Sequence, residues 1–457
     1  MTATPTTGRS RSRLLLVGVV ALMVLVTGVV AAVRRSGSST TTTKPTAAAP
    51  TTLAPEPTTT PTTGATPSEP AYITEAKQQV SELRGLAWKS PLVVDVVSSD
   101  ELARRVRAAI ERDRRPEREA GDGDTFKILH LIPADLDYVK TLDDLFSGLV
   151  QGYYDPKTKE LVVGNPGTER GEIDASTRLT LAHELDHALT DQWFDFGTAT
   201  DALEVADREE ELDGYIAVIE GDAKLLEDRY ATKYLSAEDQ LAVALGVGGV
   251  SEEAIATLEN TPSFLLNYLY FPYTTGLEFA QTQAAAAANQ GPNAGVDAAL
   301  GKPPTSTEQI LHPERYAAGE GWSPPSLVEV AEATGCERRR RGTLGEFKMT
   351  EMLDAELDRD AASAGADGWN GDVFETVRCG NSLGLVDRWQ ADTEAEAIEL
   401  AAALTEWAPE WSGGRAPADG RFSGPEGSGR IIRQGTQVDL ILADDGPTAD
   451  RLEAATR

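Results

Sequence analysis

The stretch that most constrains this chain is "LAHELDHALTDQ", Leu181 to Gln192, which holds two of its four histidines. His183 and His187 are four residues apart. Four residues of α-helix turn about 400°, so both imidazoles leave the same face, about 40° apart. Leu185 and Leu189 indicate that the helix is largely buried, where two imidazoles without partners would be costly. The segment therefore predicts a buried helix that offers two ligands to one ion.

Glu184 completes the pattern H-E-x-x-H, in which two histidines bind zinc and the glutamate activates the bound water. Imidazole is a suitable ligand for zinc. The metal lowers the pKa of bound water towards ~7, so that a carboxylate can accept its proton at neutral pH. We expect one Zn²⁺ ion held by His183 and His187, with Glu184 as the catalytic base. The alternative is a pair of solvent-facing histidines on an ordinary helix.

A catalytic zinc ion needs a third protein ligand. No third histidine follows at the spacing H-E-x-x-H-x-x-G-x-x-H. Glu220, in "VIEGDAKL", borders the apolar face of a helix predicted over Asp207–Tyr230, where a carboxylate needs a positive partner. We expect Glu220 to be the third ligand, and Glu204 and Glu211 are the alternative candidates for that position. Glu227 fits a solvated surface position better.

A series of signatures accompanies this motif in order along the chain: "GYYDPKTKELVV", "AHELDHALTDQ", "EGDA", "FPYTTG" and "PPTSTEQILHPERY", with a weaker echo in "GWNGD". Over about Leu145–Tyr316 the chain resembles zincin metallopeptidases of the gluzincin kind, in which a glutamate from a later helix joins H-E-x-x-H. It is also similar to poorly characterised exported bacterial proteins. The resemblance implies the same three ligands and the same base. It also implies that a peptide substrate lies along the strand Gln151–Asp155, by β-addition.

Two features depart from the better-known gluzincins. Glu220 follows His187 by 33 residues, a longer separation than in the compact members. The position four residues after the glutamate holds Lys224 instead of an acidic residue. Asp191 and Asp222 are therefore alternative candidates to orient a ligating histidine, and Asp191 is better placed, one turn after His187. A capping or surface role for Asp191 is the alternative.

Hydrolysis of an amide also needs a donor that stabilises the tetrahedral intermediate. His312 and Tyr316, in "ILHPERY", are the candidates for this role. A histidine before a proline at a helix end can equally be structural. The remaining histidine, His130, alternates with apolar residues in "FKILHLI" and fits a core position on a buried strand.

Leu14–Val33 is uncharged, mostly apolar and flanked by arginines. About 20 such residues span a hydrocarbon core of ~30 Å. We predict a single-pass signal anchor at 14–33, a cytoplasmic stretch at 1–13 and the bulk of the chain outside the cell membrane. Secretion after cleavage of a signal peptide is the alternative. Residues 34–70 are rich in Thr and Pro and predict a disordered linker.

Charge and cysteine usage narrow the class of protein further. The formal net charge of −31 excludes a nucleic-acid binder, which would carry a basic face. Cys336 and Cys379 predict one disulfide in an oxidising compartment, and a metal or thiol site is the alternative. The run Arg338–Arg341 fits a solvated segment beside that disulfide.

We therefore expect an α+β protein. Residues 71–325 should form a mainly helical, zincin-like body with a small antiparallel sheet, and 326–457 an appended α+β module. The expected function is a membrane-anchored, extracytoplasmic zinc metallopeptidase that cleaves a peptide or protein substrate. One alternative is an inactive or structural zinc-binding protein of the cell envelope. Another is a zinc hydrolase that acts on wall peptides.

Overall fold

The computed structural model describes residues 69–165, 173–245 and 252–456. The predicted membrane anchor and nearly all of the predicted linker lie outside these ranges. Within them, no helix is both long enough and apolar enough to cross a membrane. The described chain is α+β, as predicted, with a small sheet among helices and a six-stranded antiparallel sheet later in the chain.

The first part of the chain, up to residue 318, combines helices with short strands. Its elements are α1 (Ala71–Arg84), β1 (Val94–Ser98), α2 (Ser99–Asp113), α3 (Pro116–Ile128), α4 (Tyr138–Leu149), β2 (Gly152–Asp155), β3 (Glu160–Asn165), α5 (Ala175–Phe194), α6 (Phe196–Val205), α7 (Glu209–Tyr234), α8 (Ala237–Ala244), α9 (Glu252–Glu259), α10 (Ser263–Ala286), α11 (Ala294–Gly301), α12 (Glu308–Leu311) and α13 (Pro313–Ala318).

The rest of the chain forms the C-terminal module. Its elements are α14 (Val330–Thr334), β4 (Glu337–Gly342), α15 (Gly345–Asp354), α16 (Arg359–Ala366), β5 (Trp369–Cys379), β6 (Ser382–Ala391), α17 (Glu394–Ser412), β7 (Arg421–Ser423), β8 (Ser428–Gln434), β9 (Gln437–Ala443) and α18 (Gly446–Thr456). The strands pair in the order β4-β5-β6-β9-β8-β7.

The small sheet is mixed, so the prediction of an antiparallel sheet is wrong for one of its strands. Its order is β1-β3-β2, with β1 parallel and β2 antiparallel to β3. Three helices and β2 lie between the parallel strands β1 and β3, which gives the chain the length that a parallel crossover requires. The hairpin β2–β3 forms as predicted, and the Asp155 carboxylate accepts a hydrogen bond from the Lys157 amide in its turn.

The helix α10 contains a proline, Pro272, in its interior. The cost of the lost backbone hydrogen bond is offset by the buried side chains on either side of it, such as Phe271 and Phe279.

A close glycine contact lets α10 pack directly on α7. A Cβ on Gly221 would lie 2.1 Å from the carbonyl oxygen of Gly276, and a Cβ on Gly276 would lie 2.3 Å from that of Ala217. Only glycine allows the two backbones to approach this closely. The signatures "EGDA" and "FPYTTG" each supply one of these glycines, so both have a structural role in this crossing.

The predicted strand "FKILHLI" is instead the end of α3 and the turn that follows it. Pro116 begins this helix, and Phe126 and Ile128 bury their side chains in the core of the C-terminal module. His130 has a φ of 57° and stacks its ring on Trp411 at a centroid distance of 5.0 Å. The alternation of apolar residues in this segment therefore follows packing at a helix end, not a strand period.

The core of the C-terminal module contains the buried tryptophans Trp369, Trp389, Trp407 and Trp411. Residues of α3 belong to the same core, so the module and the helical body share it. The predicted disulfide between Cys336 and Cys379 is present and joins the residue before β4 to the end of β5.

The arginine run in β4 is not a solvated segment, contrary to the prediction. Arg340 is 6% exposed and donates hydrogen bonds to Asp122, at 2.8 Å, and Asp207, at 2.9 Å. Arg339 donates to Asp124 at 2.6 Å. Acidic side chains of α3 and of the segment before α7 thus pair with the edge strand and dock the module on the body.

The contact between α3 and β4 should be intolerant of a single methyl group. A Cβ on Gly121 would lie 2.1 Å from the carbonyl oxygen of Arg339, whereas one on Gly148, in α4, would meet nothing within 4 Å. We expect Gly121→Ala to lower the free energy of unfolding by about 1–3 kcal/mol. Gly148→Ala should leave it unchanged or raise it by up to ~1 kcal/mol. Urea-unfolding midpoints measure both, and equal midpoints would contradict this packing.

Candidate metal centre

Two helices bring the three predicted ligands together. His183 and His187 lie on α5, and Glu220 lies on α7. The Oε2 atom of Glu220 is 3.1 Å from Nε2 of His183 and 3.3 Å from Nε2 of His187. The three ligand atoms lie within 4.8 Å of one another. Ligands at zinc-binding distance in a tetrahedral arrangement are about 3.3–3.5 Å apart, so the triad fits one ion.

The burial of these groups points to the same conclusion. His183, His187 and Glu184 are fully buried, and Glu220 is 1% exposed. Among the described residues, the Nε2 atom of His187 has no hydrogen-bond partner. A buried polar atom without a partner costs about 1–3 kcal/mol. Two imidazoles and one carboxylate are a donor set that suits zinc, and a cation there would provide the missing partner for His187.

The charges of the centre favour a bound cation. Burial acts to raise the pKa of Glu220, but its interactions with His187 and His183 lower it to about 2, so this carboxylate stays ionised. Burial lowers the pKa of His187 to about 4, which leaves a neutral imidazole, the form that binds metals. Burial also raises the pKa of Glu184 well above its usual value.

A second glutamate on α7 supports His183 from the other side of its ring. The Nδ1 atom of His183 lies 3.4 Å from Oε2 of Glu227, which is 3% exposed and also accepts a hydrogen bond from Lys224 at 2.7 Å. The prediction that Glu227 lies on the surface is therefore wrong. The spacing in the sequence indicates this position: Glu227 follows Glu220 by seven residues, and seven residues of α-helix turn to within about 20° of the same face.

Asp191 and Asp222, the residues predicted to orient a histidine, have other partners. Asp191 accepts hydrogen bonds from the Tyr154 hydroxyl at 2.7 Å and the Gly197 amide at 3.0 Å, which ties the β2–β3 hairpin to α5. Asp222 lies 3.1 Å from Arg84. Neither hydrogen-bonds a ligating histidine, so the predicted orienting role is not seen. Instead, Glu227 is the acidic residue whose carboxylate lies beside Nδ1 of His183.

The predicted oxyanion donors are also engaged elsewhere. His312 is paired with Glu346 of the C-terminal module, at 2.7 Å, and the Tyr316 hydroxyl donates to the carbonyl of Lys302 at 2.8 Å. Neither partner belongs to the triad. α12 and α13, which flank His312, pack on α7, α10 and α15, and both side chains have their polar partners outside the triad.

The reserve ligands are likewise outside the triad. Glu204 is buried 3.7 Å from Arg115. Glu211 accepts a hydrogen bond from Arg208 at 2.7 Å. Each has a cationic partner of its own, and the triad is formed without them.

The strand β2 lies beside the proposed base. It is an edge strand, since β3 is its single partner in the sheet. A Cβ on Gly152 would lie 2.9 Å from Cγ2 of Thr180 and 3.4 Å from Cγ of Glu184, so the glycine lets the strand backbone pack on α5 at this point. The place that the family resemblance gives to the substrate-binding edge is therefore occupied by an edge strand next to Glu184.

A cavity of about 250 Å³ borders the triad. Its wall includes Glu220 and a largely apolar surface formed by residues such as Leu145, Phe146 and Ile216. Tyr273 also lines it, and its ring stacks on that of His183 at a centroid distance of 6.3 Å. The sequence reasoning assigned no role to Tyr273, although the signature "FPYTTG" contains it.

Comparison with known protein families gives a match within the C-terminal module. A family model described as a domain of unknown function, DUF8575, matches residues 332–456. This range contains all strands of the six-stranded sheet and lies outside the triad. No curated protein and no solved structure matches the chain.

The support that Glu227 gives to His183 can be measured through zinc affinity. We expect Glu227→Gln to weaken zinc binding by ~10–100-fold, the usual effect of removing a carboxylate that orients a ligating histidine. Asp228→Asn is the matched control, because it removes one negative charge from the next, exposed position of the same helix. Competition with a chelator gives both dissociation constants. Equal values for the two variants would show that Glu227 does not orient His183.

Proposed function

We propose that this chain is a zinc metallopeptidase that hydrolyses peptide bonds. His183, His187 and Glu220 hold the ion, and Glu184 is the general base. The observation that carries the proposal is the convergence of three ligand atoms beside the fully buried carboxylate of Glu184. Structural zinc sites have four protein ligands, whereas catalytic sites have three and keep one position open. A triad that borders a cavity supports the catalytic kind.

The chemistry divides between the ion and the chain. A bound Zn²⁺ ion supplies a Lewis acid, which lowers the pKa of water towards ~7 and polarises a carbonyl group. Glu184 accepts the proton of the attacking water and passes it to the leaving amine. Glu184 directly follows the proposed ligand His183 on α5, and its side chain is fully buried, so its carboxylate lies beside the ion that the triad would hold.

The surroundings of the triad fit a peptide as the substrate. The edge strand β2 is the proposed pairing partner of an extended substrate chain, which would add to the sheet. All four of its residues are buried, so this addition requires the covering side chains to move aside. The cavity beside Glu220 is lined mainly by apolar side chains, so it suits an apolar side chain of the substrate. Backbone recognition by β2 and side-chain recognition by the cavity together position a peptide next to Glu184.

We propose that the enzyme acts outside the cytoplasm. The disulfide between Cys336 and Cys379 supports this location, because such bonds persist in oxidising compartments. The apolar segment at 14–33 is proposed to anchor the chain in the cell membrane, with cleavage and secretion as the alternative. The folded part then meets peptides at the cell envelope or beyond it.

Replacement of the base separates catalysis from metal binding. We expect Glu184→Gln to retain zinc, measured by inductively coupled plasma mass spectrometry, and to hydrolyse a quenched peptide library ~10²–10⁴-fold more slowly. His183→Ala should lose both zinc and activity. Glu111→Gln is the control, because its carboxylate is 74% exposed on α2. Stoichiometric zinc in the unaltered protein without hydrolysis of any peptide would support a structural or inactive site instead.

Tyr273 replaces His312 and Tyr316 as the proposed donor to the developing oxyanion, since it lines the cavity and packs on His183. We expect Tyr273→Phe to lower kcat by ~10²-fold or more at unchanged zinc content, the usual effect of removing one such donor. Tyr316→Phe should leave kcat unchanged, because that hydroxyl donates to the Lys302 carbonyl. Steady-state kinetics on one peptide compares the two variants. A loss of kcat in Tyr316→Phe but not in Tyr273→Phe would make Tyr316 the donor and exclude Tyr273.

A further inference from the structure

A buried cluster of charged groups connects the metal-binding helices without contributing to the proposed chemistry. It consists of Arg84, Asp186, Asp222 and Asp297, and is called the Arg84 cluster here. Arg84 is the last residue of α1 and is 2% exposed. Its Nε lies 3.2 Å from Asp186, and its Nη2 lies 3.1 Å from Asp222 and 2.7 Å from Asp297. One guanidinium group therefore meets three carboxylates.

Two of these carboxylates belong to the helices that carry the ligands. Asp186 directly precedes His187 on α5, and Asp222 follows Glu220 by two residues on α7. The rigid, planar fork of a guanidinium group holds its partners in a fixed geometry. Through ion pairs, Arg84 thus links short segments of α5 and α7 that contain the proposed metal ligands.

The packing of α1 supports the same role. Ile73, Ala76 and Val80 bury their side chains in the core that includes Leu185 and Leu189 of α5. α1 packs on both α5 and α7, and it contributes no residue to the cavity beside Glu220. The helix therefore contacts both metal-binding helices while leaving the substrate side of the centre clear.

Removal of Arg84 would leave its buried carboxylates uncompensated. Asp186 and Asp222 are fully or almost fully buried, and like charges at such positions repel one another strongly. Separation of the two segments would relieve that repulsion. The same movement would take Glu220 away from the histidines, and ligand distances tolerate deviations of only about 0.2 Å.

We propose that Arg84 is a positioning residue for the metal centre: its pairs with Asp186 and Asp222 hold α5 and α7 at the separation in which Glu220 meets His183 and His187. The inference rests on zinc binding by this triad and is independent of peptidase activity. It assigns α1 to the metal centre, although α1 supplies no ligand.

The test is zinc affinity, measured on the full chain by competition with a chelator. We expect Arg84→Gln to weaken zinc binding by ~10–100-fold, as the loss of groups that orient ligands does. Arg84→Lys keeps the charge but loses the fork, and should fall between Arg84→Gln and the unaltered protein. Asp222→Asn should also weaken binding, and it tests the inference even if Arg84→Gln fails to fold.

Two control variants distinguish positioning from general stabilisation. Asp297→Asn removes a partner of Arg84 that lies on α11, a helix that supplies no ligand, and should weaken zinc binding less than Asp222→Asn does. Val80→Ala removes buried packing from α1 and should lower the urea-unfolding midpoint without weakening zinc binding.

The outcomes separate this inference from the proposed function. Unchanged zinc affinity in Arg84→Lys and Asp222→Asn would overturn the positioning role while leaving the metal site in place. Equal losses in Val80→Ala and Asp222→Asn would also overturn it, because α1 would then act through stability alone. Absence of zinc binding in the unaltered protein would remove both the metal site and the inference.

Discussion

The packing of α5 against α7 determines the position of every group in the candidate metal centre. α5 supplies His183, His187 and Glu184, and α7 supplies Glu220 and Glu227. All of these polar groups are buried, so their solvation by water is lost and must be replaced within the protein or by a ligand. The two helices therefore have little freedom to slide, because a shift of one would leave several buried charges without partners at once.

The rest of the body holds this pair of helices from several directions. The β2–β3 hairpin is tied to α5 through Asp191, and α10 packs on α7 through a contact that two glycines make possible. α1 joins the two helices through Arg84. These contacts come from segments far apart in sequence, so the geometry of the centre depends on the fold as a whole and not on the H-E-x-x-H helix alone.

Features with a local cause were predictable from the sequence. The helical spacing of His183 and His187, the turn after Asp155 and the placement of Glu220 on a later long helix followed from short-range patterns. Features that depend on tertiary packing were not. Pro272 lies inside a helix because neighbouring side chains are buried, and His130 lies at a helix end packed against a distant tryptophan. Helical periodicity predicts that Glu227 lies on the same face of α7 as Glu220. Its burial, however, depends on the placement of α5.

The docking of α3 in the tryptophan-rich core has a consequence for the relation between sequence families and folding units. The segment matched as a domain of unknown function begins at residue 332, yet Trp411 donates a hydrogen bond to the carbonyl of Ile128 and packs with Phe126 and its neighbours. The boundary of a sequence family can thus differ from the boundary of the hydrophobic core to which its residues belong. The C-terminal segment and the helical body are expected to unfold as one cooperative unit, so a substitution that destabilises either part should destabilise the other.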